Sequence, residues 1–432
     1  MKLNRRGFLT GVGALGSVFA LADGSFHAQR AMAATPARVT LWEIATGDDR
    51  ALVQKTVQQF DQAHPEVDVV VEFFENDPYK TKLRVAMGAG QPPDVFIGWG
   101  GGILKSYVQA GKVSALPASV NTGRFIESVM QAVTFDGKTY GVPCRGMQPV
   151  LFYYNKPIFQ KYGINPPKTW TELLSAVKTL HDKGIVPISL AGLGNWPGLM
   201  YEEYLVNRIG GNAPFEAVLA GKPNAWSNQA FLQANQKIVE LVDLHAFPSD
   251  FDALNYNTGQ STQLLYSGKA AMQLMGSWDY AAILSDAPDF IAKDQLGWFP
   301  FPAVEGGFGD PKNVAGNPCN FYSVSAHSPS QSQAEIFLAD GVLNESEIDG
   351  YLKLGEVPPV KDIRSKLSGM QHADWLRAVY DLASQAPYFS LSWDQALPPR
   401  EAQTMLTNLG LLFLKQLTPE QFASQMNESM HA

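Results

Sequence analysis

Pro93-Asp-Val-Phe-Ile-Gly-Trp-Gly-Gly-Gly102 is the stretch on which the fold turns. Asp94-Val-Phe-Ile97 is short, apolar and bounded by turn-formers, which predicts a buried strand. Gly100-Gly-Gly102 then opens a run from Ile103 to Ala110 that predicts a helix directly behind it. The same order holds upstream. Val39 to Ile44 predicts a strand, and Val53, Val57 and Phe60 recur at i, i+4, i+7 on one helix face. Val67 to Phe74, rich in β-branched residues, predicts a second strand, and Tyr79 to Met87 a second helix. Strands alternating with helices give an α/β fold with parallel-type sheets flanked by helices.

The pattern continues downstream. Phe135-Asp-Gly-Lys-Thr-Tyr140 carries an Asp-Gly turn and predicts a hairpin. Strands are predicted at Val150–Tyr154, Val186–Leu190, Ala270–Met275 and Phe321–Ser325. Thr169-Trp-Thr-Glu172 fits a capping box, followed by Leu173, Val177 and Leu180 at helical spacing. Further helices are expected at about 228–245 and 258–266, and the last 70 or so residues are mainly helical in pattern. A chain of 432 residues exceeds what one hydrophobic core usually serves, so two domains are expected.

The N-terminus carries a decoy. Gly11-Val-Gly-Ala-Leu-Gly16 has the spacing of a dinucleotide-binding turn, but no strand precedes it and the nearest acid, Asp23, comes too soon. Lys2, Arg5 and Arg6, an apolar run to Ala22 and a small-residue site at Ala31-Met-Ala33 instead follow the order of an export signal over 1–33. Arg5-Arg6-Gly-Phe-Leu9 resembles the twin-arginine motif of Tat export, and the first 40 residues hold no Cys for a lipid anchor. A periplasmic protein is expected. Cleavage takes four basic residues and one acid from totals of 33 and 41, leaving 29 and 40, a net charge of −11. That balance offers nucleic acid or an anionic membrane no electrostatic attraction.

Other chemistry finds little support. The histidines are scattered without metal-ligand spacing, and neither a P-loop nor G-x-S-x-G occurs, so no metal, cofactor or catalytic residue is assigned. Cys144 and Cys319 could pair or remain two buried thiols; spacing leaves both open.

From about Arg38 onward the chain resembles the extracellular solute-binding proteins of ABC importers, the family of the maltose-binding protein. The segments that carry the likeness come in order: Trp42-Glu43; Pro93 to Trp99; Tyr140-Gly-Val-Pro143 into Val150 to Lys156; Pro167 to Leu173; Gly268 to Trp278; Phe299-Pro-Phe-Pro302; and Trp393. The resemblance implies two α/β lobes around a hinge, residues 36–144 plus 301–357 and 148–297 plus 360–432. It places chain crossings near Val142–Gln148, Leu296–Pro302 and Gly355–Lys361. It also implies a monomer that captures a small-molecule carbohydrate and delivers it to the membrane subunits of an ABC permease.

A sugar needs flat apolar partners for its C–H faces and a few fixed polar groups for its hydroxyls. Aromatics at strand ends and in loops are therefore the candidates. Trp99 and Gly100 follow a strand, and the glycines there would let the backbone approach a ligand. Trp278 with Asp279, Trp196 in Gly194-Asn-Trp-Pro-Gly198, and Trp393 in Ser390-Leu-Ser-Trp-Asp-Gln395 complete the aromatic set. Glu43 at the first strand's end, Asn317 before a strand, and Arg145 and Gln148 by the first crossing are the polar candidates. Trp170 and Trp298 read as structural. Two rivals stand beside the sugar reading: an exported sugar-acting enzyme, with Glu43 and Asp279 as its carboxylates, and a binder of glycerol-3-phosphate or another polyol or anion.

Overall fold

The computed structural model describes residues 35–430; the expected export signal lies outside the described residues. In chain order the strands are β1 (Ala37–Glu43), β2 (Val67–Phe73), β3 (Val95–Gly98), β4 (Thr134–Phe135), β5 (Lys138–Thr139), β6 (Val142–Pro143) and β7 (Gln148–Asn155). They continue with β8 (Val186–Ser189), β9 (Ala270–Gly276), β10 (Leu296–Phe299), β11 (Val314–Asn317), β12 (Phe321–Val324) and β13 (Phe389–Leu391). Two larger sheets result. The first runs β2-β1-β3-β12-β6; the second runs β13-β11-β7-β9-β8, with β10 also paired to β7. Strands β4 and β5 close the Asp-Gly hairpin, with Asp136 and Gly137 both at positive φ.

Helices cover the sheets through the faces the spacing predicts. Helix α1 (Gly47–Ala63) buries Val53, Val57 and Phe60. Helix α2 (Asn76–Ala89) buries Tyr79, Leu83, Ala86 and Met87, and stops at Gly90, whose φ of 69° suits a left-handed cap. Helix α3 (Gly101–Gln109) follows β3 as expected. Thr169 caps the helix Trp170–Asp182, while Glu172 accepts from Lys168 N–H rather than from Thr169. Trp170 is core, as expected, its indole N–H donating to Glu240.

Both sheets are mixed rather than parallel throughout. Strand β12 runs antiparallel to β3 and β6, and β7 runs antiparallel to β9, β10 and β11. Each of these two strands begins where the chain arrives from the other sheet, beside the C-terminal end of a neighbour: Phe321 opposite Gly98, and Val150 opposite Gly276. It must therefore run back against that neighbour.

The pairing also moves the second crossing. Strands β10 and β11 both belong to the second sheet, so the chain passes to the first at 318–320, not at Leu296–Pro302. The three passages lie side by side. Cys144 N–H donates to Asn320 O at 2.9 Å, and Met147 N–H to Val357 O at 2.8 Å. Gly146 permits that approach, since a Cβ there would lie 2.9 Å from both Glu356 Cβ and Val357 N. Cys144 and Cys319 are both buried here as free thiols. Cys319 Sγ instead donates to Arg145 O at 3.1 Å.

Candidate functional site

Two cavities lie where the sheets' C-terminal edges face each other. The inner one, about 420 Å³, takes its wall from both sheets and the hinge: Trp99, Arg145, Gln148, Trp196, Trp278, Asp279 and Asn317 all line it. Gly100 lines the neighbouring outer cavity of about 540 Å³. The aromatic positions follow from local chain chemistry. Trp99 is the first residue past β3. Trp196 starts the helix Trp196–Gly210 after Asn195 at φ 60°. Trp278 folds back so closely that a Cβ on Gly276 would lie 1.9 Å from its ring. Tyr256 meets Trp196 edge-on at 5.0 Å, and Trp278 lies 6.3 Å from Trp196.

Polar groups face this aromatic wall. Five side chains of the inner cavity hold a buried polar atom with no protein partner among the described residues. Trp196, Arg145 and Asn320 each leave an N–H free; Asn317 and Glu203 each leave an oxygen free, while the Asp49 oxygen faces the Glu356 carboxyl, with which it shares a proton. Such groups cost free energy unless a ligand or water meets them. A hydroxyl both donates and accepts, so a mixed set of this kind matches a polyol. Ser392 Oγ and Trp393 N–H occupy the other oxygen of Glu203 at 2.9 and 2.7 Å.

Asp279, next in the chain to Trp278, is fully buried. Burial pushes its carboxyl up to about 7, against the opposing pull of hydrogen bonds from Thr262 and Tyr256. Folding therefore takes up a proton at Asp279 between the unfolded value near 4 and about 7, and its presence opposes folding increasingly across that window. Asp279→Asn should gain on the wild type by on the order of 2 kcal/mol between about pH 5 and about pH 8. Urea denaturation at both pH values measures this; a pH-independent difference would show that Asp279 is not held neutral.

Two expected site residues lie elsewhere. Glu43 is swallowed by the hinge, outside both cavities. Its Oε1 accepts from Arg145 at 2.6 Å and from Ile44 and Ala45 N–H; its Oε2 accepts from Tyr322 at 2.5 Å. Glu43 and Asp279 therefore form no facing pair of carboxylates across the cavity. Trp393 is core: its ring stacks on Phe215 at 4.2 Å and meets Trp226 and Phe231 edge-on. Its neighbour Asp394 lines both cavities instead.

Two further expectations change in meaning. Arg145 reaches the cavity, but Glu43 and Asp49 already bind its guanidinium. The glycine turn serves chain packing. A Cβ on Gly100 would lie 2.5 Å from Ala132 O, and one on Gly102 would lie 2.2 Å from Ala396 O in the helix Trp393–Ala396. It is the backbone of another helix, from the second sheet's side, that the turn admits.

Sequence reading missed Lys80, Glu203, Tyr256, Asn257, Asn320 and Asp394. Tyr256 offered the same signal as Trp196, an aromatic among turn-formers in Asn255-Tyr-Asn257. Glu203 offered none, since it sits mid-helix beside a second buried acid, Glu202.

A family model for bacterial extracellular solute-binding proteins matches residues 45–339. An uncharacterised ABC transporter extracellular-binding protein of Pyrococcus horikoshii is 26% identical over 245 residues, 55% of this chain and 54% of that protein. The melibiose/raffinose/stachyose-binding protein of Bacillus subtilis is 24% identical over 304 residues, 68% of each. The match to the Pyrococcus protein thus spans about half that relative's length. Among solved structures, a protein from work on xylan utilization by Caldanaerobius polysaccharolyticus aligns with a TM-score of 0.83 at 32% identity. It covers 91% of this chain and 99% of its own. A chitin oligosaccharide binding protein aligns at 0.82 and 28%, over 92% and 98%. With most of its length matched by the family model and by two-lobed neighbours, the chain belongs to the bacterial extracellular solute-binding protein family.

Proposed function

We propose that this protein is the periplasmic substrate-binding component of an ABC importer that captures a neutral carbohydrate. The lobes would close on the sugar about the hinge and present it, as a monomer, to the membrane permease. One observation carries the reading: unpaired N–H groups and unpaired oxygens stand together in a cavity walled by Trp99, Trp196 and Trp278. An anion site would gather donors alone. The relatives named for raffinose-type sugars and chitin oligosaccharide point the same way.

In this reading one lobe comprises about 36–144 and 319–357, and the other about 148–317 and 360–430. Trp99 would come from the first; Trp196, Trp278, Asp279 and Asn317 from the second, with Arg145 and Gln148 at the hinge. A ligand shifts the balance toward closure only through contacts that both lobes make to it.

A thermal-shift panel tests this, with mono- and oligosaccharides, glycerol-3-phosphate and buffer alone. A sugar at about 100 times its dissociation constant adds about 2.7 kcal/mol of stability and raises Tm. A shift with a neutral sugar that is recovered intact is the expected result. A shift with the phosphate ester alone would make the protein an anion binder, and consumption of a sugar would make it an enzyme.

A further inference from the structure

The hinge holds more acid than its one guanidinium neutralises. Glu43, Asp49 and Glu356 meet around Arg145, where the first and third passages lie side by side. Arg145 gives its two terminal nitrogens to Glu43 Oε1 and Asp49 Oδ2, and Gly146 N–H donates to Glu356 Oε2 at 3.1 Å. Asp49 Oδ1 and Glu356 Oε1 are left buried with no N–H or O–H beside them, and the two carboxyls face each other. Two carboxyl groups so placed repel unless they share a proton. Glu356 is 5% exposed, so bulk water does not stand in for that proton. Around the pair, Glu43 ends β1, Asp48 precedes Asp49 on α1, and Tyr256, Tyr351 and Cys319 approach from other elements. Burial keeps the two phenols and the thiol neutral, which leaves Arg145 as the cation that faces the pair.

Asp49 is shielded from across the cleft. It sits in the first turn of α1 and lines the cavity walled by Trp99, Trp196 and Trp278. Ala281, Ala282, Ser285 and Asp286 line the same cavity from the helix Asp279–Asp286, which follows β9 of the second sheet. That helix comes so near that a Cβ on Gly47 would lie 3.8 Å from Ser285 Oγ. Parting the lobes draws it away from α1 and brings water to Asp49, and hydration favours the ionised carboxyl.

We infer, on the hinge-closing reading above, that the Asp49–Glu356 pair takes one proton from solvent as the lobes close and returns it as they part. Closure and capture are then stronger in acidic surroundings than in alkaline ones. The sign follows from linkage. Burial pushes Glu356 up to about 8 in the closed form and holds Asp49 above its ordinary value, whereas a hydrated carboxyl titrates at about 4. The coupling acts between those limits and fades as pH rises through the upper one.

The test is titration calorimetry with maltotriose, xylotriose and chitotriose at about pH 6.5 and about pH 8.5, each in two buffers of different ionisation enthalpy. The wild type should bind about tenfold more tightly at the lower pH and take up about one proton there on binding. Glu356→Gln puts an amide N–H where the proton lay, while its carbonyl still accepts from Gly146. This variant and Asp49→Asn should each bring the two affinities within about twofold and abolish the uptake. Small-angle scattering without sugar reads the same equilibrium: the wild type should be more compact at the lower pH, and Glu356→Gln equally compact at both. A pH effect that persists in both variants, or one abolished by Asp279→Asn alone, would overturn the inference while leaving hinge closure intact. So would a wild-type affinity and radius indifferent to pH. Should none of the three sugars bind, scattering alone decides. A bound sugar that leaves the radius unchanged would overturn hinge closure and this inference together.

Discussion

Arg145→Ala should lower the free energy of unfolding by about 3–5 kcal/mol at neutral pH, among the largest losses a single substitution can cause. Arg145 is buried at the first passage between the sheets, its two terminal nitrogens 2.6 Å from Glu43 and 3.1 Å from Asp49. Deleting it strands both carboxylates without a cation, Glu43 fully buried and Asp49 largely buried at the cavity wall. The cost is mostly that of their desolvation, not of the lost attraction. Burial holds Asp49 above the usual carboxylate range even with Arg145 beside it, and pushes nearby Glu356 up to about 8. Without the cation these acids take up protons more readily, so the loss should shrink on going from about pH 7.5 to about pH 5.5. Guanidinium denaturation at both pH values decides it. A loss below about 1 kcal/mol would mean that the surrounding chain relaxes to admit water.

Trp196→Ala should weaken binding of the sugar found in the thermal-shift panel by about 2–4 kcal/mol, roughly 30-fold to 1,000-fold. Trp196 lines both cavities, meets Tyr256 and Trp278, and carries an indole N–H without a protein partner. Truncation thus removes a face and a donor together. Trp393→Ala makes the contrast: its ring packs on Phe215 inside the core, so that change should cost folding stability by about 3–5 kcal/mol. Titration calorimetry of the first and denaturation of the second separate the two roles. Unchanged sugar affinity in Trp196→Ala would remove this residue from the site.

The fold was largely legible because its strands are short apolar runs between turn-formers, each followed by a helix with one apolar face. Among the strands that escaped were β11, Val314-Ala-Gly-Asn317, and β13, Phe389-Ser-Leu391, which lack the β-branched density that marks a strand. The second passage between sheets, placed by resemblance at Leu296–Pro302, falls after β11 instead. That Trp99, Trp196 and Trp278 would line a cavity was legible because an aromatic at a strand end or in a turn has no element of its own to pack inside. Trp393 had the same local setting, but Phe215, Trp226 and Phe231 claim its ring from distant segments. Glu43 was lost in the same way, to Arg145 and Tyr322. Local sequence states where a side chain stands; which partner reaches it first is a property of the tertiary fold.

The strand order bears on when this protein can begin to work. The first sheet is incomplete without β12, and the second has its edge filled by β13, close to the end of the chain. Helix Trp393–Ala396, which meets the glycine turn after β3, is later still. On a ribosome, neither sheet can close while its last strand is unmade, and the second sheet waits longer than the first, for β13. Long-range pairing of this kind slows folding and leaves sheet edges open meanwhile. The second sheet is therefore the later of the two to become whole.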